Sequence, residues 1–169
     1  MKEIRIEKIV LNTGLGSKGN VENAVKILKE ITGMNPIITK THKRSTFGVA
    51  KGKAIGCKVT VRKNTEELLK KLLIAKENVL KSGNFDRTGN LAFGIHEYID
   101  VPGMEYDPKI GIIGFDVCVT LERPGYAVKR KKISKKIGHD HMITKEEAMK
   151  FIKEKFGVKI ESITKVHEE

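Results

Sequence analysis

The chain has 169 residues, of which 39% are apolar and 5% aromatic, and it carries 33 Lys and Arg against 21 Asp and Glu. This length suits one domain with an adequate hydrophobic core. Because no apolar run reaches membrane-spanning length and the charged N-terminus is unlike a signal peptide, we expect a soluble cytoplasmic protein and exclude a membrane-spanning one.

The positive charge is concentrated in two segments. Residues 31–65 hold eight basic residues and no acidic one, and residues 123–139 hold seven basic residues and again no acidic one. These segments contain 15 of the 33 basic residues, which leaves 18 basic against 21 acidic residues elsewhere. Such segregation raises the local electrostatic potential for a polyanion such as a nucleic acid. A solvated basic surface without a ligand is the alternative.

The N-terminal part of the chain predicts a strand, a helix and a second strand. Residues 3–12 are rich in Ile and Val, which favours the first strand. Asn20 is placed to cap a helix over residues 21–31, which Gly33 ends, and the next strand follows Asn35. The first helix is therefore predicted to connect two strands.

A loop rich in Lys and Gly, residues 42–54, leads into a strand with strict alternation. One face of this strand contains Ile55, Cys57, Val59 and Val61. The other face contains Gly56, Lys58, Thr60 and Arg62. Since successive side chains of a strand point to opposite faces, the first set is predicted to be core and the second to form a basic surface. Cys57, like Cys118 in a later apolar run, is expected to be a buried free thiol in a reducing compartment.

Two capping boxes mark the starts of later helices. Asn64 with Glu67 is predicted to begin the longest helix, over residues 65–81. Thr144 with Glu147 is predicted to begin a last helix, which ends before a glycine.

The remaining strands are predicted at residues 91–99, 113–122 and 158–163. The first two of these follow one another without a helix between them, so helices and strands do not alternate regularly. The predicted fold class is therefore α+β: an antiparallel or mixed sheet with helices packed on one face and an open basic face. We expect a single domain over residues 1–169 with a basic arm at about 123–139.

Gly14, Gly16 and Gly19 follow the first strand in the G-x-G-x-x-G spacing of dinucleotide-binding turns. Such folds place an acidic residue after the second strand of a βαβ unit, whereas here no acid follows that strand before Glu66. Because Arg44 could bind a 2′-phosphate, a version of this turn that binds NADP stays open. The alternatives are a tight turn that needs small residues, or backbone amides at a helix N-terminus that meet a phosphate of a polymer.

No other motif supports catalysis, a cofactor or a metal. The stretch 48–54 lacks the spacing and the hydroxyl residue of a phosphate-binding loop. His139 and His141 lack further ligands nearby and are interpreted as solvated or RNA-facing, and His96 as a structural histidine in a strand. A membrane-surface role for the basic arm is a further alternative, but it lacks an amphipathic helix with aromatic anchors.

The basic residues and their neighbours favour RNA binding. Lysines and arginines on an open strand face and an adjoining loop would neutralise phosphates and release counterions. Hydroxyl donors for the RNA backbone and sugar are supplied by Thr39, Thr41, Ser45, Thr46 and Thr60. Since Phe47 is the only aromatic residue of the first basic segment, we expect recognition of folded RNA by shape and backbone.

Six stretches carry a resemblance that covers about residues 3–160. They are IEKIVLNTGLG, GMNPIITKTHKRS, GKAIGCKVTVR, FDRTGNLAFGIHEYI, YDPKIGIIGFDVCVTLERPG and ITKEEAMKFIKEKFGV. In this order they resemble the family of large-ribosomal-subunit protein number five, which binds 5S rRNA. The arm, RPGYAVKRKKISKKIGHDHMITKEEA, resembles archaeal and eukaryotic members, because bacterial members have a shorter segment there. An archaeal type is expected.

The resemblance implies a structural, non-catalytic constituent of the large ribosomal subunit. Such a protein helps to attach 5S rRNA in the central protuberance, contacts P-site tRNA and forms a bridge to the small subunit during translation. The partners implied are 5S rRNA, large-subunit rRNA, P-site tRNA, small-subunit protein number thirteen and neighbouring large-subunit proteins. Neither a cofactor nor a membrane is implied.

The site residues that follow fall into four groups. The 5S rRNA contacts implied by the family motifs are Asn12, Thr13, Gly14, Lys40, Lys43, Arg44 and Ser45, and strand alternation adds Lys58, Thr60 and Arg62. The loop implied to reach tRNA contains Phe47, Lys51 and Lys53. The candidate intersubunit bridge contains Gly111, Ile112, Gly114 and Asp116. The arm contributes Lys129, Arg130, Lys131 and Lys132, for which rRNA, tRNA and the bridge partner all stay open.

Overall fold

The fold is described by a computed structural model over residues 1–16, 19–44 and 48–161. The strands there are β1 (Arg5–Gly14), β2 (Ile37–Lys40), β3 (Ala54–Val61), β4 (Val79–Lys81), β5 (Leu91–Ile95), β6 (Phe115–Glu122) and β7 (Lys159–Glu161). The α-helices there are α1 (Val21–Thr32), α2 (Thr65–Ile74) and α3 (Lys145–Phe156). Strands lie in the order β2-β3-β1-β6-β5 in one sheet, with all neighbours antiparallel, and β4 pairs with β7 in parallel. The α+β prediction is confirmed.

The hydrophobic core lies between one face of this sheet and the helices. Alternate residues of β1 and β6, such as Ile9, Leu11, Val117 and Val119, are buried because they point to that face. The helix α1 packs over β3, and α2 packs against β1. Each large apolar side chain buried in this way contributes about 1.5–3 kcal/mol relative to its exposed state. The opposite face of the sheet carries exposed residues and is open.

The predicted ends of the first and last helices are confirmed. The Asn20 side chain accepts a hydrogen bond from the backbone N–H of Glu22 at 3.0 Å, and Gly33 ends α1 in the left-handed conformation. At the start of α3, Thr144 and Glu147 exchange the two hydrogen bonds of a capping box. These bonds satisfy backbone N–H groups that have no partner within the helix.

The prediction of one helix over residues 65–81 is wrong in its second half. The helix α2 ends at Ile74, and Asn64 adopts a left-handed conformation in which its side chain makes no capping hydrogen bond. Residues 79–81 instead form β4, which pairs with β7 and buries Leu80. The apolar spacing of this segment is compatible with a helix, but the distant strand β7 determines its conformation.

Two further predictions about single residues are wrong. Cys57 is buried as expected, whereas Cys118 is exposed, because the even-numbered residues of β6 point to the open face. His96 is also exposed and follows the end of β5, which stops at Ile95 short of the predicted residue 99. The last predicted strand is present as β7, and residues 162 and 163 lie outside the described residues.

The antiparallel register gives the sheet two distinct ends. At the loop end, Gly14 lies beside Gly56, and Ile95 lies beside Phe115. At the arm end, Arg5 lies beside Glu122, after which the chain enters the basic arm 123–139. Since β1 has ten residues, the two ends are on the order of 30 Å apart. The two basic segments of the sequence are therefore mainly attached to opposite ends of the sheet.

We predict that Gly56→Ala destabilises the fold by about 1–3 kcal/mol, the usual cost of forcing extra volume into a packed site. A Cβ at residue 56 would lie 2.2 Å from the backbone oxygen of Thr13, so the two central strands would have to separate. Urea unfolding measures the change. Gly14→Ala is the matched control, because its Cβ would meet nothing within 4 Å. Equal stability of the two variants would contradict this packing argument.

We also predict that Cys118 reacts with iodoacetamide in the folded protein and that Cys57 reacts only on unfolding. Desolvation raises the pKa of both thiols, that of the partly shielded Cys118 sulfur included, and for Cys118 the Asp116 carboxylate adds a smaller increase. The labelling rate of Cys118 should therefore keep rising with pH beyond the ordinary pKa of a thiol, since the thiolate is the reactive form. Mass spectrometry of labelled peptides checks this, with Cys118→Ser as the control. Fast labelling of Cys57 in that control would contradict the prediction.

Candidate nucleic-acid interface

The open face of the sheet carries mainly polar and small side chains. Asn12 lies between Lys58 on β3 and Asp116 on β6, and Asp116 lies beside Gly94 on β5. The next row contains Thr60, Val10, Cys118 and Ala92. Because the strands are paired along their lengths, these side chains are held in a fixed register on one surface, on which a polymer could lie.

The predicted 5S rRNA contacts on β1 lie on opposite faces of the strand. Asn12 lies on the open face, whereas the side chain of Thr13 points to the core and the residue is only 3% exposed. A contact through the Thr13 side chain is therefore excluded in this fold, because adjacent residues of a strand point to opposite faces. The alternation of Ile9, Leu11 and Thr13 in the sequence already contained this information.

The three glycines of the G-x-G-x-x-G spacing differ in whether the fold requires a glycine at their position. Gly16 has a φ of 65°, and a Cβ at Gly19 would lie 2.4 Å from the Cβ of Leu15, so the turn itself requires both. A Cβ at Gly14 would meet nothing within 4 Å, so packing within the protein does not require a glycine there. The dinucleotide-binding hypothesis is wrong, because β3 lies between β1 and β2 and all neighbouring strands are antiparallel.

The loop between β2 and β3 is closed at its base by hydrogen bonds. The Thr41 hydroxyl donates to the backbone oxygen of Ala50 at 2.7 Å, and the Thr41 N–H donates to the backbone oxygen of Lys53 at 3.0 Å. Lys40, Lys43, Arg44 and Lys51 are exposed and form no ion pair with the part of the chain that the structure describes. Ser45 and Phe47, also predicted as contacts, lie outside the described residues.

Lys58, Thr60 and Arg62 lie along β3 as its alternation predicted. Lys58 is exposed beside Asn12, Thr60 is half-buried beside Val10, and Arg62 is exposed after the last residue of the strand. Lys58 therefore extends the cations of the loop end onto the open face, and Arg62 follows Val61, which lies beside Ile9 near the middle of β1.

The segment proposed for the intersubunit bridge lies at the loop end as well. Ile112 is 64% exposed, and Gly111 has a φ of 75°. A Cβ at Gly114 would lie 2.7 Å from the backbone oxygen of His96, so this glycine permits close packing of the connection against the end of β5. Asp116 is exposed on the open face next to Asn12. The structure thus brings the bridge segment and the predicted RNA contacts to the same end of the sheet.

The base of the arm is folded onto the start of α3. Arg123 is buried, donates to the backbone oxygens of residues 141 and 142, and pairs with Glu147 at 2.8 Å. The pKa of Glu147 is lowered, first by a hydrogen bond from the Thr144 backbone and then by Arg123. The Tyr126 hydroxyl donates to the backbone oxygen of His141 at 3.1 Å. Arg123 therefore has a structural role that its position in a basic segment did not reveal.

The two histidines of the HDH motif have different surroundings. His139 is exposed, whereas a ring nitrogen of His141 lies 2.9 Å from the backbone oxygen of Pro124 and its ring packs edge-on against Tyr126. The interpretation of both as solvated or RNA-facing is wrong for His141. Within the described residues, no group of three or more His, Cys, Asp or Glu is arranged to hold a metal ion.

Arg130 also serves to hold the arm in place. Its guanidinium pairs with Glu7 at 2.8 Å and with the buried Glu122, which in turn pairs with Arg5 at 2.6 Å. Lys129, Lys131 and Lys132 are exposed and form no ion pair with the described residues. Arg130 therefore differs from the neighbouring lysines with which it was grouped, and nothing in the sequence connects it to the distant Glu7.

Comparison with known proteins covers almost all of the chain. The family described as ribosomal protein L5 matches residues 1–49, and the family described as the C-terminus of the ribosomal L5 proteins matches residues 54–161. A large ribosomal subunit protein uL5 from Cenarchaeum symbiosum is 47% identical over 95% of this chain and 97% of its own length. The uL5 proteins of Sulfolobus acidocaldarius and Nitrosopumilus maritimus are 44% and 43% identical, over 95% of this chain and 92% and 95% of their own lengths.

These matches agree with the folded molecule. None of the helices in the described ranges has the length and apolar character needed to cross a membrane. The matched segments together contribute every strand of the five-stranded sheet. With relatives from three archaea that align over nearly their full lengths, the chain belongs to the ribosomal protein L5 family, in its archaeal uL5 form.

Proposed function

We propose that the chain is a structural constituent of the large ribosomal subunit in the cytoplasm and that it binds 5S rRNA with the loop end of its sheet. Members of its family are structural proteins and not enzymes. The observation that carries the proposal is the position of four exposed cations without ion-pair partners among the described residues: Lys40, Lys43, Arg44 and Lys51. They lie beside the end of the open sheet face.

Phosphate contacts supply the affinity of this site. Each lysine or arginine that neutralises an RNA phosphate releases condensed counterions, so binding is strong at low salt and weakens as salt rises. Because these cations have no carboxylate partner among the described residues, no ion pair with those residues has to break before RNA binds. The fixed side chains of β1 and β3 then determine the orientation of the RNA.

Asn12 and Gly14 suit close contact with an RNA backbone. Asn12 presents an amide that both donates and accepts hydrogen bonds, on the open face next to Lys58. Gly14 lacks a side chain at a position where the fold itself leaves space, so an RNA phosphate can approach the backbone of β1 closely. The RNA phosphate would then meet the end of β1 and not, as in the third interpretation of the glycine motif, the N-terminus of a helix, since α1 begins only at Val21.

The finer roles that we propose for the loop end follow from the position and chemistry of its exposed residues. The loop containing Lys51 and Lys53 connects β2 to β3 at the loop end, and it is our candidate for contact with P-site tRNA. Ile112, an exposed apolar residue between glycines, suits a protein contact better than a phosphate contact. The segment Gly111–Asp116 is therefore our candidate for the bridge to small-subunit protein number thirteen in the central protuberance.

We predict that Lys43→Ala with Arg44→Ala lowers the affinity for 5S rRNA by about tenfold or more, because two phosphate contacts are lost. The slope of log K against log salt should become shallower by roughly 1.4–1.8 in filter-binding titrations, at 0.7–0.9 per contact. Lys70→Ala with Lys71→Ala is the matched control, since it removes the same charge from the exposed surface of α2. An equal loss of affinity in both double variants would show that the effect comes from net charge alone. It would refute the assignment of Lys43 and Arg44 to the 5S rRNA site.

We predict that Asn12→Ala weakens 5S rRNA binding by about 1.5–3 kcal/mol, the usual range for a hydrogen bond to a charged acceptor. Thr13→Ala provides the comparison one residue away: it removes a core-facing side chain, so it should change the unfolding midpoint and leave RNA affinity intact. Affinity and urea unfolding are measured for both variants. If Thr13→Ala lowered the affinity of the folded protein and Asn12→Ala did not, RNA binding on the open face would be excluded.

A further inference from the structure

We propose that the free edge of β2 binds an extended segment of another protein as an added strand, and that this segment is apolar at its centre and acidic at its flanks. The edge belongs to the five-stranded sheet, in which β2 is the outermost strand and pairs with β3 on one side only. This site goes beyond the proposed function, which assigns RNA to the loop end and no protein to this edge.

The free edge of β2 presents backbone hydrogen-bonding groups. The Thr41 N–H donates to the backbone oxygen of Lys53 at 3.0 Å, and the Thr41 oxygen accepts from the N–H of Gly52 at 2.9 Å, so both groups point to the β3 side. The register shift before Lys40 places its extra residue in β3 and not in β2. Because the backbone groups of successive strand residues point to opposite edges, those of Ile38 and Lys40 point away from β3. Within the described ranges, no backbone hydrogen bond from a turn or loop reaches either residue.

Two adjacent isoleucines of β2 are exposed. Ile37 lies beside Lys58 on the open face and is 66% exposed. Ile38 lies beside the buried Cys57 on the other face and is nevertheless 46% exposed, as is Met34 just before the strand. In the described part of the chain, no other two neighbouring residues are both exposed large apolar ones. Single exposed apolar side chains are ordinary, whereas a group of them indicates a contact surface.

The opposite edge of the same sheet is covered. There the Asn84 side-chain amide donates to the backbone oxygen of Ala92 on β5 at 2.7 Å, and its oxygen accepts from the N–H of Lys81 at 3.0 Å. Leu91, the first residue of β5, also forms a bridge with Phe85. Covers of this kind protect sheet edges against pairing with other chains. The contrast favours a partner strand at the uncovered β2 edge.

The charge around this edge determines which segment fits. Lys40 lies in β2 itself, Lys43 and Arg44 follow it, and residues 31–65 contain no acidic residue. Acidic flanks of a partner strand are therefore attracted to this part of the chain, and basic flanks are repelled. A second copy of this chain is a poor partner, because each copy carries a net charge of +12 and pairing of two β2 edges would bring these cations together.

An RNA ligand fits this edge less well than a protein segment. Isoleucine side chains supply neither a charge to neutralise a phosphate nor a ring to stack on a base. An added peptide strand uses every group at the edge, because its backbone pairs with that of Ile38 and Lys40 while its apolar side chains cover Ile37 and Ile38. Since β2 has only four residues, the segment that pairs with it is short.

The test uses a synthetic peptide of about seven residues, in which a central run of valines is flanked on both sides by glutamates. We expect this valine peptide to bind the full chain at least about tenfold more tightly than a serine peptide, which has the same glutamates and serines in place of the valines. Fluorescence anisotropy measures both affinities. N-methylation of the valines should abolish the difference, because it removes the donors of the added strand.

Hydrogen exchange locates the contact. On saturation with the valine peptide, we expect exchange of the Ile38 and Lys40 amides to slow at least about tenfold, because both become paired. The Thr39 amide, which points to β3, should keep its exchange rate. NMR of the labelled protein resolves the three amides.

Variants of β2 test the edge directly. Ile38→Pro removes the outward N–H at an edge position, where proline is tolerated, and should weaken binding of the valine peptide about tenfold or more. Ile37→Ser leaves the backbone unaltered and should weaken it about threefold or more, through loss of apolar contact alone. Ile133→Ser is the matched control, because it removes an isoleucine that is 80% exposed elsewhere, and it should leave binding unchanged. Urea unfolding establishes that each variant is folded.

Four outcomes would overturn the edge site. They are equal affinities of the valine and serine peptides, unchanged exchange of the Ile38 and Lys40 amides, a loss of 5S rRNA affinity in folded Ile38→Pro equal to its loss of peptide affinity, and a dimer of the unaltered chain that Ile38→Pro abolishes. The third outcome would assign the edge to RNA, and the fourth to a second copy. Failure of the proposed function is seen separately, as unchanged 5S rRNA affinity of the variant with Lys43 and Arg44 replaced.

Discussion

The central position of β1 determines most of the structure. This strand pairs with β3 on one side and β6 on the other, so its alternation is imposed on both neighbours. Ile9 and Leu11 point to the helices and form the centre of the core, whereas Val10 and Asn12 point to the open face. At Gly56 the two central strands approach so closely that no side chain fits. The register of the side chains on the open face is therefore fixed by the same strand pairings that bury the core.

Charge is used in two different ways at the two ends of this sheet. At the arm end, carboxylates pair with Arg5, Arg123 and Arg130, so these arginines hold the fold together. At the loop end, the exposed cations have no carboxylate partner among the described residues and remain available to phosphates. Arginine suits the first role because its planar fork pairs with two carboxylate oxygens at once. A count of basic residues does not distinguish these roles, but the location of the acidic residues does.

Local sequence signals predicted the features that depend on neighbouring residues. The capping box of Thr144 and Glu147 formed because both partners lie within one helical turn, and the alternation of β3 held because one face is core. Features that depend on distant partners could not be predicted in this way. The end of α2 depends on β7, and the role of Arg130 depends on Glu7, 123 residues away. The exposed position of Cys118 and the buried position of Thr13 were predictable, because the alternation of neighbouring core residues fixes both.

The candidate RNA surface exists only when the two family segments are folded together. The boundary between the matched segments, residues 49–54, falls in the loop before β3, yet β1 from the first segment lies between β3 and β6 of the second. Asn12 therefore meets Lys58 and Asp116 only in the complete sheet. A net charge of +12 opposes compaction of the free chain, and a polyanion that binds only the folded form stabilises it by mass action. Under the proposed function, RNA binding and folding would therefore be coupled through the central strand, because bound RNA would stabilise the same β1 pairings that create the candidate surface.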